Sequence, residues 1–407
     1  MRDLLKRAAR RAGLAVAGAG LVAGLAACTG GPAEGGDKGR PDEAIQVMPR
    51  DGATGVSPDG PLRVELDAGR LEQVRVTRIE SEGRATVPGR ISGDGLSWSP
   101  SEGARLSAEA KYSVDVVARD AQGRRTARHT TFTTAVPGNR FIGYFVPENR
   151  ATVGTGMIVS FTFNREIADR AAVERAIRVT SRPHVEVAGH WFGRDRLDFR
   201  PERYWKPGTR VTVEMRLQGV AAAPGVRGVQ DRTLTFTVGR SQVSTVDARE
   251  HTMRVVRDGE ALATLPITAG ADETPTYNGR MVVSEMHEVT RMNGATVGFT
   301  TEDGRSEYDI KDVPHAVRLT TSGTFLHGNY WAETEAFGAE NVSHGCVGLR
   351  DDKGGSSESP AGWFFDRTLI GDVVEVVHSD DRTVSPDNGL SGWNLGWREW
   401  KEGSALG

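Results

Sequence analysis

Cysteine is almost absent from the chain: Cys28 and Cys346 are the only two in 407 residues. So sparse a complement excludes a fold stapled by a disulfide framework. A long apolar run is also missing. The nearest approach, residues 12–27, is Ala- and Gly-rich and shorter than the roughly 20 strongly apolar residues a permanent membrane span needs. Charge of one sign is missing too: 51 Lys and Arg face 54 Asp and Glu, a formal net charge of −3. After the N-terminal segment the two signs are interspersed, which leaves no basic stripe for a nucleic acid. Extended helical periodicity is lacking as well, so the fold class expected is mostly β.

What is present begins with Arg2, Lys6, Arg7, Arg10 and Arg11, then the apolar run, then Leu25-Ala26-Ala27-Cys28. That order of charged, apolar and small residues is an export signal. It resembles a lipobox, the bacterial lipoprotein signal whose cysteine is acylated and becomes the first residue of the mature chain. The resemblance implies lipidation of Cys28 and anchoring to the outer face of the cell membrane. Cys28 is then no longer a thiol, and Cys346 stands alone in an exported protein. Residues 29–44 are dense in Gly, Pro and charge and read as a flexible linker.

The remaining chain is too long for one ordinary core. Residues 45–136 and 137–240 follow one plan. The first contains LSWSP, KYSVDVVARD and HTTFTT; the second contains LDFRP, TRVTVEMRL and RTLTFTV. Alternation such as Tyr112, Val114, Val116 or Val211, Val213, Met215 is the period of strands with one buried face. Short strands at this spacing predict two immunoglobulin-like β-sandwiches, joined by a hinge at AVPGN, residues 135–139. Neither holds a cluster of His, Cys or paired carboxylates defensible as a site, and His184 and His190 read as surface or packing residues. The sandwiches are expected to be spacers which, laid end to end, lift the third domain by about 50–80 Å.

Residues 241–379 read as a further, mostly-β domain, with an Asp258-Gly259 hairpin signal. Short helical stretches are expected at 332–339 and 363–368. In the C-terminal tail, residues 380–407, Trp393, Trp397 and Trp400 recur at a spacing that predicts one helical face packed on this domain.

HGNYW at 327–331 and SHGC at 343–346, with YNGRM at 277–281, SGTFLHG at 322–328 and GDVVEVV at 371–377, resemble the L,D-transpeptidases of the YkuD type, cysteine enzymes that cross-link peptidoglycan. The resemblance implies Cys346 as nucleophile and His327 as base, its other ring nitrogen oriented by the Gly328 carbonyl. Acyl transfer requires such a base and backbone donors for the oxyanion. Ser343, His344 and Gly345 lead into the nucleophile, His344 as a further polar member of the site, and the Gly345 and Cys346 amides are expected to form the oxyanion hole. Tyr308, Asn329, Tyr330 and Trp331 are expected to line the substrate cleft, Trp331 being equally readable as core, and Arg350 to meet a substrate carboxylate. Residues 281–320 resemble the flap over the cleft. One departure stands out: where the family commonly has Asn, this chain has Gly348.

The resemblance further implies a tetrapeptide stem as donor, a second stem as acceptor, no cofactor, no metal and no nucleic acid, and a monomer is expected. Water as acceptor would make the chain an L,D-carboxypeptidase, and a protein amine would make it a lipoprotein-attaching enzyme. A zinc site from His327, His344 and Cys346 lacks a fourth ligand and metal-type spacing. A papain-like or NlpC/P60 peptidase would place cysteine before histidine, and a non-catalytic wall-binding lipoprotein would leave SHGC without a use.

Overall fold

The computed structural model describes residues 45–79, 85–120, 122–298, 300 and 305–407. The leader, Cys28 and the linker lie outside these residues. Among the described residues no helix is long and apolar enough to cross a membrane.

The first sandwich pairs a four-stranded sheet (order Ile45–Met48, Arg63–Leu66, Ser97–Pro100, Gly89–Ile91) with a five-stranded one built on Arg70–Ile79, Lys111–Arg119 and Arg125–Thr134. Tyr112, Val114 and Val116 turn inward as the alternation predicts, each at most 1% exposed. The second sandwich repeats the plan with two four-stranded sheets and a small three-stranded one. Its Val211, Val213 and Met215 are fully buried.

The third domain is organised by a nine-stranded mixed sheet. Across it run Gly279–Val282, Val373–Val377, Gln242–Asp247, Thr252–Arg257, Glu260–Thr268, Val347–Arg350, Phe325–Asn329, Asp309–Arg318 and Glu285–Asn293. The hairpin signal is realised: Arg257 pairs with Glu260 across a two-residue turn in which Asp258 and Gly259 both have positive φ, the conformation that favours Asp-Gly. Helix forms at Pro360–Asp366, with Ser359 as N-cap. The stretch expected over 332–339 shrinks to a 3-10 turn, Thr334–Ala336.

Three arrangements differ from expectation. Residues 281 and 282 belong to the strand Gly279–Val282 at one edge of the sheet, so of the expected flap only the hairpin of Glu285–Asn293 and Asp309–Arg318 is left, and it completes the opposite edge. The tail does not rest on the third domain alone. The break at Leu395 and Gly396 divides it into a 3-10 turn, Gly392–Asn394, and a helix, Trp397–Glu402. Trp393 Nε1 donates to the Gly156 carbonyl at 2.7 Å and Trp400 Nε1 to the Ala188 carbonyl at 3.0 Å, both in the second sandwich. Asn394 meanwhile bonds the backbone of Arg280, so the tail straps the two domains together.

Finally, the sandwiches are not an end-to-end stalk. The strand Arg125–Thr134 packs against the flap strands, bringing His129 to 4.8 Å from His287, ring centre to ring centre. Strand alternation reports which face is buried within a module, whereas the residues at this junction are polar and read as solvent-facing.

Candidate active site

The sheet brings the two histidine and cysteine motifs together. Phe325–Asn329 and Val347–Arg350 are parallel neighbours, with Leu326 opposite Val347 and His327 opposite Gly348. One step back along that register sets Cys346 beside Phe325, whose amide donates to Cys346 Sγ at 3.4 Å. The thiol in turn points at the Gly323 carbonyl, 3.6 Å away. Phe325 and His327 share a face of their strand, because side chains alternate. The fifteen residues between His327 and Ser343 are therefore a crossover returning the chain to the neighbouring strand.

His327 is 4% exposed. Its Nδ1 lies 3.0 Å from the Gly328 carbonyl oxygen. A carbonyl only accepts, so Nδ1 carries the proton and Nε2 keeps its lone pair. The Trp331 indole stacks on the imidazole at 5.4 Å and 15°. Gly328 has no room for a side chain: a Cβ there would fall 2.2 Å from Asp351 Oδ2 and 2.8 Å from Pro314 Cγ. Asp351 is itself fixed by His315 Nδ1 at 2.7 Å. Gly348 is confined as well, since a Cβ would meet Thr268 Cγ2 at 2.9 Å and Asn329 Nδ2 at 3.1 Å. In this chain the Asn329 amide fills the space beside that position.

The approach to Cys346 is held from its backbone. Ser343 Oγ donates to the Cys346 carbonyl at 2.5 Å and accepts from the Gly345 amide at 3.2 Å, while the Ser343 amide and carbonyl bond Ala269 and Ala271. Gly345 has φ +104°, a left-handed conformation that favours glycine. Its amide is thus directed to Ser343, which differs from the expected pair of oxyanion donors. His344 is half-exposed, with Nε2 3.6 Å from Glu307 and its ring 4.9 Å from that of Tyr308.

Burial pushes the Cys346 thiol up to about 11, against a smaller opposing effect of the Phe325 amide. Burial holds His327 below the usual imidazole range. Both groups are therefore neutral at rest. Tyr308 is raised by burial and by the neighbouring Cys346.

The expected cleft residues divide. Tyr308 lies beside His344, and Trp331, 40% exposed, covers the imidazole. Asn329 is instead buried, its Oδ1 accepting from the Trp331 and Ala332 amides. Tyr330 is tied to Asp312 at 2.5 Å. Arg350 is exposed at the far end of its strand, four residues and about 13 Å from Cys346. Sequence reasoning missed Asp351 and Glu307. Only their positions flanking the motif strands could have signalled them.

Comparison with known proteins places the chain in a family. The L,D-transpeptidase catalytic domain model, YkuD, matches residues 241–376, and a bacterial Ig domain model matches residues 53–221, across both sandwiches. L,D-transpeptidase 2 of Mycobacterium tuberculosis is 35% identical over 375 residues, covering 91% of this chain and 88% of that protein. L,D-transpeptidase 5 of the same organism is 30% identical over 408 residues, covering 98% and 85%. An L,D-transpeptidase solved in complex with imipenem aligns with a TM-score of 0.48 at 33% identity, over 57% of this chain and 97% of that one. With its histidine and cysteine motifs on adjacent strands of a matched catalytic domain, and with relatives matched over most of its length, this chain belongs to the YkuD-type L,D-transpeptidase family.

Proposed function

We propose that the chain is a membrane-anchored enzyme that cross-links peptidoglycan stems through a Cys346 thioester. Cys346 Sγ attacks the carbonyl carbon joining the third residue of a donor tetrapeptide, a diamino acid, to its terminal D-Ala. His327 Nε2 takes the thiol proton and passes it to the departing amine. The C–N bond breaks, D-Ala leaves and the thioester remains. An amine of a neighbouring stem then attacks the thioester, His327 again accepts the proton, and the thiol is restored as the new amide joins the third residues of two stems.

The observation that carries this reading is the parallel register setting the Cys346 strand beside His327, whose Nδ1 is occupied by its own backbone. An imidazole so fixed presents one basic nitrogen. A neutral thiol and neutral base suit a transfer that occurs only once substrate is bound. With the Gly345 amide given to Ser343, the Cys346 amide is the donor for the oxyanion. His344 and Tyr308 shape the entrance, while Arg350 and Tyr330 stand farther from the thiol or are already engaged. Cys28 carries the lipid.

The test is incubation of the purified protein with defined tetrapeptide muropeptides and mass analysis of the products. A dimer with loss of one D-Ala per bond is expected. Tripeptide without dimer would make water the acceptor, and no release of D-Ala would refute the activity.

A further inference from the structure

Where the first sandwich meets the catalytic domain, four titratable side chains converge from two domains. Asp115 and His129 are direct partners on adjacent antiparallel strands of the sandwich, while Glu285 and His287 stand two residues apart on the flap strand Glu285–Asn293. His129 Nδ1 lies 2.6 Å from Asp115 Oδ1, and His287 Nδ1 lies 3.8 Å from the same oxygen. One ligating atom from each of Asp115, His129 and His287 falls within 4.8 Å of the others.

We propose that Asp115, His129 and His287 form a zinc site that clamps the first sandwich to the flap of the catalytic domain. Two imidazoles and a carboxylate are a donor set suited to zinc, and three protein ligands leave a fourth position for water. Metal–ligand bonds of about 2.0–2.2 Å require donor atoms about 3.3–3.6 Å apart in a tetrahedron. Binding at this spacing requires the 2.6 Å contact between His129 Nδ1 and Asp115 Oδ1 to widen, the 3.8 Å one from His287 Nδ1 to close, and zinc to displace to solvent the proton that His129 donates to Asp115.

A second observation points the same way. His287 Nε2 is 3.1 Å from Glu285 Oε2, so Nε2 donates its proton to a carboxylate and Nδ1 faces the cluster with its lone pair. A ligating histidine commonly has its other nitrogen held in this manner. Glu285 is steadied in turn by Arg318 at 3.7 Å, and Arg318 is held by the Thr320 and Thr321 carbonyls. The charges also fit: two carboxylates balance one dication, with both imidazoles neutral. The side chains are 13% exposed at His287 and 22% at His129, while Asp115 and Glu285 are 40% exposed, which leaves an entry path.

The experiment is zinc titration of the full chain against a chromogenic chelator, in a Cys346→Ala background to remove the thiol as a competing ligand. One equivalent is expected to bind. Affinity should fall at least 100-fold in His129→Ala/His287→Ala and about 10–100-fold in Glu285→Gln, the usual effect of losing a group that orients a ligand. Asp115→Asn, nearly isosteric, serves should the double variant fail to fold, and should also weaken binding. Zinc should slow amide exchange both at 125–131 and at 285–289, on the two sides of the junction. Uptake of equal stoichiometry and affinity in the folded variants would show there is no such site. Binding that slows exchange on one side only would overturn the clamp.

Discussion

The carbonyl oxygen of Gly328 lies 3.0 Å from Nδ1 of His327, its own neighbour in sequence. The imidazole is therefore oriented by the backbone of the strand that carries it. No second side chain is required, and the orientation is as rigid as the sheet. The cost is exacted at Gly328, where Asp351 and Pro314 close over the Cα and only glycine fits.

Gly328→Ala is accordingly expected to damage the enzyme in two ways. A Cβ 2.2 Å from Asp351 Oδ2 must displace that carboxylate or the strand. Overpacking of this kind costs about 1–3 kcal/mol, visible as a lower denaturation midpoint. Displacing the strand also moves the carbonyl that fixes the tautomer, so carbapenem acylation should slow by more than the loss of folded enzyme explains. Wild-type acylation in a folded Gly328→Ala enzyme would remove the backbone as orienter.

The thiol provides a pH signature. In the unfolded chain it titrates near the ordinary value, about 8.5, and in the folded chain burial pushes it up to about 11. Between those values the native state holds a proton the unfolded state has lost. Stability contributed by the neutral buried thiol is thus present below about 8.5 and is lost as pH rises toward 11. Urea denaturation from pH 7 to 11 should show this decline, flattened in Cys346→Ala. An identical decline in both proteins would mean that burial does not govern the thiol.

The sequence motifs made much of the site legible because they are short, local and tied to chemistry: His327 before Gly328, and Ser343, Gly345 and Cys346 in one loop. The strands were legible for a similar reason, since Val114 or Val213 reports its buried face through alternation alone. What could not be read was the contact between modules. Asp115, His129, Glu285 and His287 are polar and widely separated, and no periodicity marks them as neighbours. The tail was legible in part, since Asp381, Val384, Asn388 and Asn394 do pack on the third domain. Its tryptophan spacing suggests one helical face, but the break at Leu395 and Gly396 interrupts the helix, and Trp393 and Trp400 bond different carbonyls of the second sandwich. The bonds that hold Asn329 to the Trp331 and Ala332 amides and Tyr330 to Asp312 were not legible either, because adjacency to His327 says nothing about which way a side chain faces.

The tail should be essential to the folded unit. Arg200, 1% exposed, lies over Trp393 at 4.7 Å, Trp397 at 5.5 Å and Trp400 at 4.3 Å. Trp400 is fully buried and also stacks on His190. Trp400→Ala is expected to lose about 3–5 kcal/mol, as large-to-small changes at buried aromatics do. A fragment of residues 139–407 should unfold cooperatively. One of residues 241–407 should not, since it lacks the sockets in the second sandwich. A soluble, cooperatively folding 241–407 fragment would show that the strap is dispensable.

The two histidines of the motifs can be separated by kinetics. His327 is buried, with one nitrogen committed to backbone and the other available; His344 is half-exposed and turned toward Glu307 and Tyr308. A positioned general base is worth about 10² to 10⁴ in rate, so His327→Ala should slow carbapenem acylation by that factor and abolish its dependence on a group titrating below the usual imidazole range. His344→Ala should cost less and keep the pH profile, because it changes the entrance rather than the proton acceptor. Acylation rates of both folded variants from pH 5 to 9 decide the matter. A larger loss and an altered profile in His344→Ala would move the role of base to the histidine beside the cysteine, leaving His327 as a packed support for Trp331.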